Sequence, residues 1–279
     1  MARAVLRLVR VENCSAVALT TLLGAHLAGG GQAVRTTTAL LALLATALLH
    51  GAGNVINDRM DVAVDADARP ERPLPSGRIS MAAADRIYVG LTVAGVMCAA
   101  TLGATSVLVA AAVVALSFGY SYRIKATVLA GNLLVASLAA ATVLYGSWVV
   151  GGVGLRSWIA AASVWVLMLS FEILKCVQDH ETDAAHGVRT VSTVIGRRPA
   201  VRAGTALLLP FTALALAPGI LIDVSPAYLP LAVGVVALTG AGAAHLMTAD
   251  PGRAAVDRCL ARLKQSWFLG LIALAALRP

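Results

Sequence analysis

NVINDRMDVAVDADARPERPLPSGRIS, residues 54–80, stands where a long apolar run gives way to a basic loop. Asn57, Asp61 and Asp65 recur every four residues, so on a helix they form one slightly rotating stripe, with Asn54 and Asp58 beside it. Asp58, Asp61, Asp65 and Asp67 place four like charges within ten residues. Such a cluster repels itself, and hard divalent cations, which take oxygen ligands, relieve the repulsion. Arg69, Arg72 and Arg78 follow at once. An acidic face for metal beside guanidinium forks for phosphate points to a metal–diphosphate site.

Working outward, 59% of the 279 residues are hydrophobic and only 13% are charged. A soluble domain of this size does not hide that much apolar sequence. The expected fold is therefore all-α and polytopic in a membrane, a single unit over 1–279. Apolar runs predict nine spans, near 12–30, 36–58, 80–101, 104–120, 128–150, 157–178, 199–221, 226–247 and 257–277. Alanine and glycine richness suits close helix packing in lipid. The formal charge of +8 fits cytoplasmic loops facing anionic lipid. Nucleic acid is not an expected partner, because basic and aromatic residues do not interleave as single-strand binders require. Cys14, Cys98, Cys176 and Cys259 form no C-x-x-C pair and read as free or buried thiols. The arginines at 3, 7 and 10 before an apolar stretch resemble a signal peptide, but the helical array behind them favours an uncleaved first span.

With the N-terminus placed in the cytoplasm, alternation puts nineteen of the 22 Lys and Arg residues inside, leaving Arg35, Arg156 and Arg278 outside. The acidic residues are also uneven. Five of fourteen lie in 58–71 and four in 172–183, both at cytoplasmic span ends, and ionisable residues there are functional candidates. The second cluster reads FEILKCVQDHETDAAHGVRT, residues 171–190, with Asp179 and Asp183 again four apart. Asp61 to Asp179 and Asp65 to Asp183 are equal offsets of 118 residues, which suggests two pseudo-repeated halves, about 1–125 and 126–279. Between the clusters, YSYRIKATVLAGN (120–132) adds Tyr120, Tyr122 and Lys125 on the same side. The loop before the last span, carrying Asp250, Arg253, Asp257, Arg258, Arg262 and Lys264, reads as an amphipathic approach along the headgroups. Plainer roles are assigned to Ser80 as a helix N-cap, to Glu172 as a partner of Lys175, and to His26 and His50 as interhelical hydrogen-bonders.

At these residues the chain resembles the UbiA superfamily of intramembrane prenyltransferases. Asn57, Asp58, Asp61 and Asp65 match N-D-x-x-D-x-x-x-D, and Asp179 and Asp183 match D-x-x-x-D, followed by Gly187, Arg189 and Thr190. The tail RPERPLPSGRIS, with Arg10 and Asn13 as R-x-x-N, is most similar to the branch holding digeranylgeranylglyceryl phosphate synthase, homogentisate prenyltransferases and chlorophyll synthase. Two departures stand out. Cys176 follows Lys175 where that branch usually has Asp, and Ala68 stands where Asn is common.

The resemblance implies a polyprenyl diphosphate donor, a lipophilic, aromatic or glycerol-phosphate-like acceptor, and two Mg²⁺ ions held by Asn57, Asp61 and Asp65 and by Asp179 and Asp183. It implies diphosphate or substrate contacts from Asn13, Asn54, Arg69, Arg72, Lys125, Lys175 and Arg189. Asp58, Tyr120, Tyr122 and Lys125 would serve the chemistry, orienting the acceptor or taking its proton. The expected setting is a bacterial plasma membrane with the site facing the cytoplasm. One alternative is a UbiA-type terpene cyclase, which would give a cyclic hydrocarbon from the donor alone. Another is a cation transporter, but its site would lie near the midplane rather than at span ends beside arginines.

Overall fold

The computed structural model describes residues 1–246 and 252–278. Residue 247, the end of the eighth apolar run, and Asp250 lie outside the described residues. Every described element is helical. Helix α1 (Ala2–Val9) buries Ala4 and Leu8 and exposes Arg3 and Arg7. Arg10 joins it to α2 (Val11–Ala33), followed by α3 (Thr37–Met60) and the short α4 (Val62–Ala68). Then come α5 (Met81–Thr101), α6 (Ala104–Tyr122), α7 (Ala130–Val150), α8 (Leu155–Gln178), α9 (His180–Ala185) and α10 (Val191–Ile195). A broken run of α11 (Arg197–Ala206), α12 (Leu208–Leu216) and α13 (Pro218–Leu221) precedes α14 (Tyr228–Ala244) and α15 (Arg253–Ala275).

Local chemistry sets these boundaries. The Thr36 and Ser80 hydroxyls accept from the backbone N–H of Ala39 and Ala83, each at 3.2 Å, so Ser80 is the N-cap its position predicts. Pro210 cannot donate to the carbonyl four residues back, and the helix breaks just before it, between α11 and α12. Between α4 and α5 the Pro-rich loop folds on itself. Ile79 N–H donates to the Pro73 carbonyl at 3.0 Å, Leu74 and Ile79 are buried, and Gly77 supplies the left-handed turn at φ 71°.

Among the described residues, seven helical stretches are long and apolar enough to cross a membrane: α2, α3, α5, α6, α7, α8 and Arg197–Leu221. The other two expected spans are helical but differ in character. Helix α14 has 17 residues, short of a full crossing, and α15 carries Arg253, Arg258, Arg262 and Lys264 along its first half.

The helices that end in the acidic motifs are the hubs of the bundle. Helix α3 packs against α2, α5, α6 and α7, and α8 packs against α7, α11, α12 and α15. Helices α2 and α7 cross through two glycines, Gly24 facing Val143 and Gly146 facing Thr21, so close that backbone touches backbone. Ser147 donates to the Gly24 carbonyl at 2.8 Å across that crossing. His26 Nε2 lies 2.9 Å from the Ala275 carbonyl and ties α2 to α15, the interhelical role expected of it.

Candidate active site

The two motif helices end alike. Helices α3 and α8 both have 24 residues, and both stop at an aspartate in the bridge region: Asp61 at φ −93°, ψ 4° and Asp179 at φ −91°, ψ 4°. A short helix follows each, and the hydrogen-bond register continues. Asp65 N–H donates to the Asp61 carbonyl at 2.8 Å, and Asp183 N–H to the Asp179 carbonyl at 2.9 Å. In each motif, therefore, the two carboxylates stay one turn apart across the interruption between the helices.

Although 118 residues separate them in sequence, the motifs meet at one end of the bundle. Arg69, just after α4, donates to Asp179 Oδ1 at 2.7 Å. His186, just after α9, lies 3.2 Å from Asp67 Oδ2. Both His186 nitrogens face acceptors, and the Thr182 carbonyl, then Asp67, push its imidazole pKa up. Burial, and then the neighbouring Asp179 charge, push the Asp183 carboxyl up to about 6.

Each of the other motif carboxylates faces a basic side chain. Asp61 pairs with Lys125, and Asn57 Nδ2 donates to its other oxygen at 3.1 Å. Arg72 donates to Asp65 at 2.6 Å and to Asp58 at 3.4 Å, and Asp58 also pairs with Arg10. Asp58 and Asp65 are buried, so these ion pairs exclude much of the solvent. Lys175 lies 3.5 Å from Glu172, as expected of that pair, and is in electrostatic range of Tyr120 and Asp179. The residues assigned to phosphate from sequence thus hold the residues assigned to metal. Among the described residues no three His, Cys, Asp or Glu side chains converge as a ligand shell would require. The Asn57 Oδ1, however, is buried and accepts no hydrogen bond. An orphaned amide oxygen beside carboxylates is a donor set of the kind a hard cation takes.

Arg10 is a site residue that the sequence marked only through R-x-x-N. It is the one non-glycine residue with positive φ among those described, at 55°, a conformation costing roughly 1 kcal/mol. That kink lets the guanidinium reach Asp58, 48 residues away. Asn54 supports the kink, its amide donating to the Val9 carbonyl at 2.9 Å. Cys176, in the departed position, receives a hydrogen bond from Asn132 at 3.3 Å. Other expected participants stand apart. Asn13 and Arg189 are exposed and make no side-chain hydrogen bond or ion pair with described residues. Tyr122 is exposed and stacks on Phe118 with centroids 6.3 Å apart, whereas Tyr120 lies within electrostatic range of Lys175, Glu172, Cys176 and Asp61. Arg78 donates to Ser76 Oγ at 2.9 Å and to the Glu71 carbonyl, bracing its own loop.

The family model described as "UbiA prenyltransferase family" matches residues 17–269. The chain belongs to the UbiA prenyltransferase family. It is an integral membrane prenyltransferase. A digeranylgeranylglyceryl phosphate synthase of Thermococcus kodakarensis is 34% identical over 272 residues, covering 97% of this chain and 96% of its own. Solved structures share the fold. One, from a study of digeranylgeranylglyceryl phosphate synthase in membranes, superposes with a TM-score of 0.76 at 23% identity over 98% of this chain and 97% of its own. Another, a UbiA homologue from Archaeoglobus fulgidus bound to GPP and Mg²⁺, has a TM-score of 0.69 at 17% identity over 97% and 99%. Membership of the family sets aside the transporter reading.

Proposed function

We propose that this UbiA-family prenyltransferase moves a polyprenyl group from its diphosphate to the hydroxyl of a glycerol-phosphate-type acceptor. The near-full-length likeness to a digeranylgeranylglyceryl phosphate synthase supports that acceptor class. The observation that carries the reading is the meeting of the two acidic motifs, one on each hub helix, through Arg69 and Asp179. Oxygens of Asn57, Asp61 and Asp65 on one side, and of Asp179 and Asp183 on the other, would hold two Mg²⁺ ions. The Mg²⁺-bound neighbour of the same fold supports that choice of cation. Magnesium, when bound, supplies Lewis-acid charge against the leaving diphosphate.

The remaining work falls to the chain. Arg69, Lys125 and Lys175 donate charge-assisted hydrogen bonds to diphosphate oxygens once they leave their carboxylates. Asp58, held by Arg10 and Arg72, braces those two guanidiniums at the mouth. Tyr120, half-buried and within electrostatic range of Lys175 and Glu172, orients the acceptor. The apolar bundle keeps water from the allylic centre, so the cation is not captured as a simple alcohol. The matched ends of α3 and α8 also support two repeated halves, about 1–125 and 126–279. The arginine-rich segments support a mouth facing the cytoplasm.

The test uses purified protein, Mg²⁺, geranylgeranyl diphosphate and a synthetic monoalkylglyceryl phosphate. A prenyl ether product is expected, and Asp61→Ala and Asp179→Ala should each abolish it. A cyclic hydrocarbon formed without acceptor would replace the transferase reading with a cyclase. Near-normal ether formation by both variants would overturn the metal assignment.

A further inference from the structure

Glu172 is the deepest carboxylate in the described spans, six residues inside the end of α8. Asp58, by contrast, is two residues from the end of α3, and Asp85 and Glu12 lie near the starts of their helices. It precedes Asp179 by seven residues, two helical turns, so it lies on the same face roughly 10 Å further into the bundle. It is about nine-tenths buried, and burying a carboxylate at that depth is costly. Its compensation is slight. Lys175 approaches to 3.5 Å, and no described residue donates a hydrogen bond to it. Tyr120, from α6, lies within electrostatic range of both. Nothing in the diphosphate chemistry above uses this carboxylate.

Transfer to a hydroxyl needs a group that removes a proton. The other candidates are poorly suited. Asp58 is bound by two guanidiniums, Tyr122 is exposed, and the Tyr120 phenol is a weak base. We propose that Glu172 is the general base of the transfer, an inference that rests on the acceptor reading above. The C1–O bond to diphosphate breaks first, and the acceptor oxygen then forms its bond to the allylic C1 cation. The bonding pair leaves with diphosphate, and the hydroxyl proton passes to a Glu172 carboxylate oxygen. Lys175, drawn to the diphosphate, leaves the Glu172 carboxylate oxygens open to the acceptor hydroxyl.

The experiment compares wild type, Glu172→Gln and Glu172→Asp in detergent, with Mg²⁺, geranylgeranyl diphosphate and monogeranylgeranylglyceryl phosphate. Affinity for a Mg²⁺–geranylgeranyl thiolodiphosphate complex is measured on the same samples. The expected result for Glu172→Gln is a fall in kcat of at least about 100-fold, with analogue affinity within threefold of wild type. Glu172→Asp should recover at least a tenth of the wild-type rate. A Glu172→Gln rate within fivefold of wild type overturns the proposal. So does a parallel loss of analogue affinity and rate, which would make Glu172 a brace for Lys175. If the glutamine variant does not fold, the aspartate variant decides: a roughly tenfold drop in kcat with affinity kept supports the assignment, and an unchanged kcat overturns it. Wild type that binds the analogue but forms no ether overturns the acceptor reading and this assignment together, an outcome visible before any variant is made.

Discussion

Replacing Asp58 with asparagine separates a brace from a catalyst. The substitution keeps the side-chain volume and removes one charge from a position 5% exposed. Arg10 then loses its carboxylate, while Arg72 keeps Asp65 at 2.6 Å. Stranding one member of a fully buried ion pair costs about 3–5 kcal/mol. Arg10 is 29% exposed and can rehydrate in part, so the expected destabilisation is about 2 kcal/mol. The left-handed conformation at Arg10 would also lose the contact that offsets its strain. The assay is thermal unfolding in detergent alongside binding of a Mg²⁺–thiolodiphosphate analogue. Asp58→Asn should melt earlier and bind the analogue at least tenfold more weakly, so that the activity loss appears mainly in KM. Unchanged melting and binding with a collapsed kcat would refute the bracing argument and move Asp58 into the chemistry.

Two other predictions concern packing and pH. A Cβ on Gly146 would sit 1.9 Å from the Thr21 carbonyl oxygen, so Gly146→Ala must part α2 and α7 by roughly 1 Å or more, costing about 3 kcal/mol. An unshifted melting temperature would contradict that close approach. Asp183 titrates near 6 in the fold, above the ordinary value of 3.8, so between those values the folded chain binds more protons than the unfolded one. Stability without metal should therefore fall as pH rises from about 4 to 6, and Asp183→Asn should flatten that dependence. Because protons and Mg²⁺ would compete for this carboxylate, Mg²⁺ affinity should weaken below about pH 6, which titration calorimetry can follow.

The helical architecture was legible because apolar runs of spanning length have few structural solutions in lipid. The ends of α3 and α8 were legible too, because acidic residues do not close apolar helices without a purpose. What the sequence concealed depends on backbone direction. Arg10 reaches Asp58 only through a left-handed residue that no periodicity encodes. Asn13, one turn later, falls on the exposed side of α2. Tyr120 and Tyr122 are two residues apart on one helix, so they point in different directions; Tyr122 is exposed, and Tyr120 comes within electrostatic range of the cluster. Glu172 was read as a simple partner of Lys175. Its depth relative to the motif gains meaning from the packing of α8 against α7, α11, α12 and α15.

The pairing of Asp61 with Lys125, Asp179 with Arg69, and Asp58 and Asp65 with Arg10 and Arg72 has a thermodynamic consequence. Four anions face four cations, so these paired side chains balance one another in charge. A lone magnesium ion would strand ammonium and guanidinium groups, and a lone diphosphate would strand carboxylates. Arriving as one complex, the two exchange charge for charge. Loading should therefore be cooperative, with each species raising the affinity for the other by the same factor.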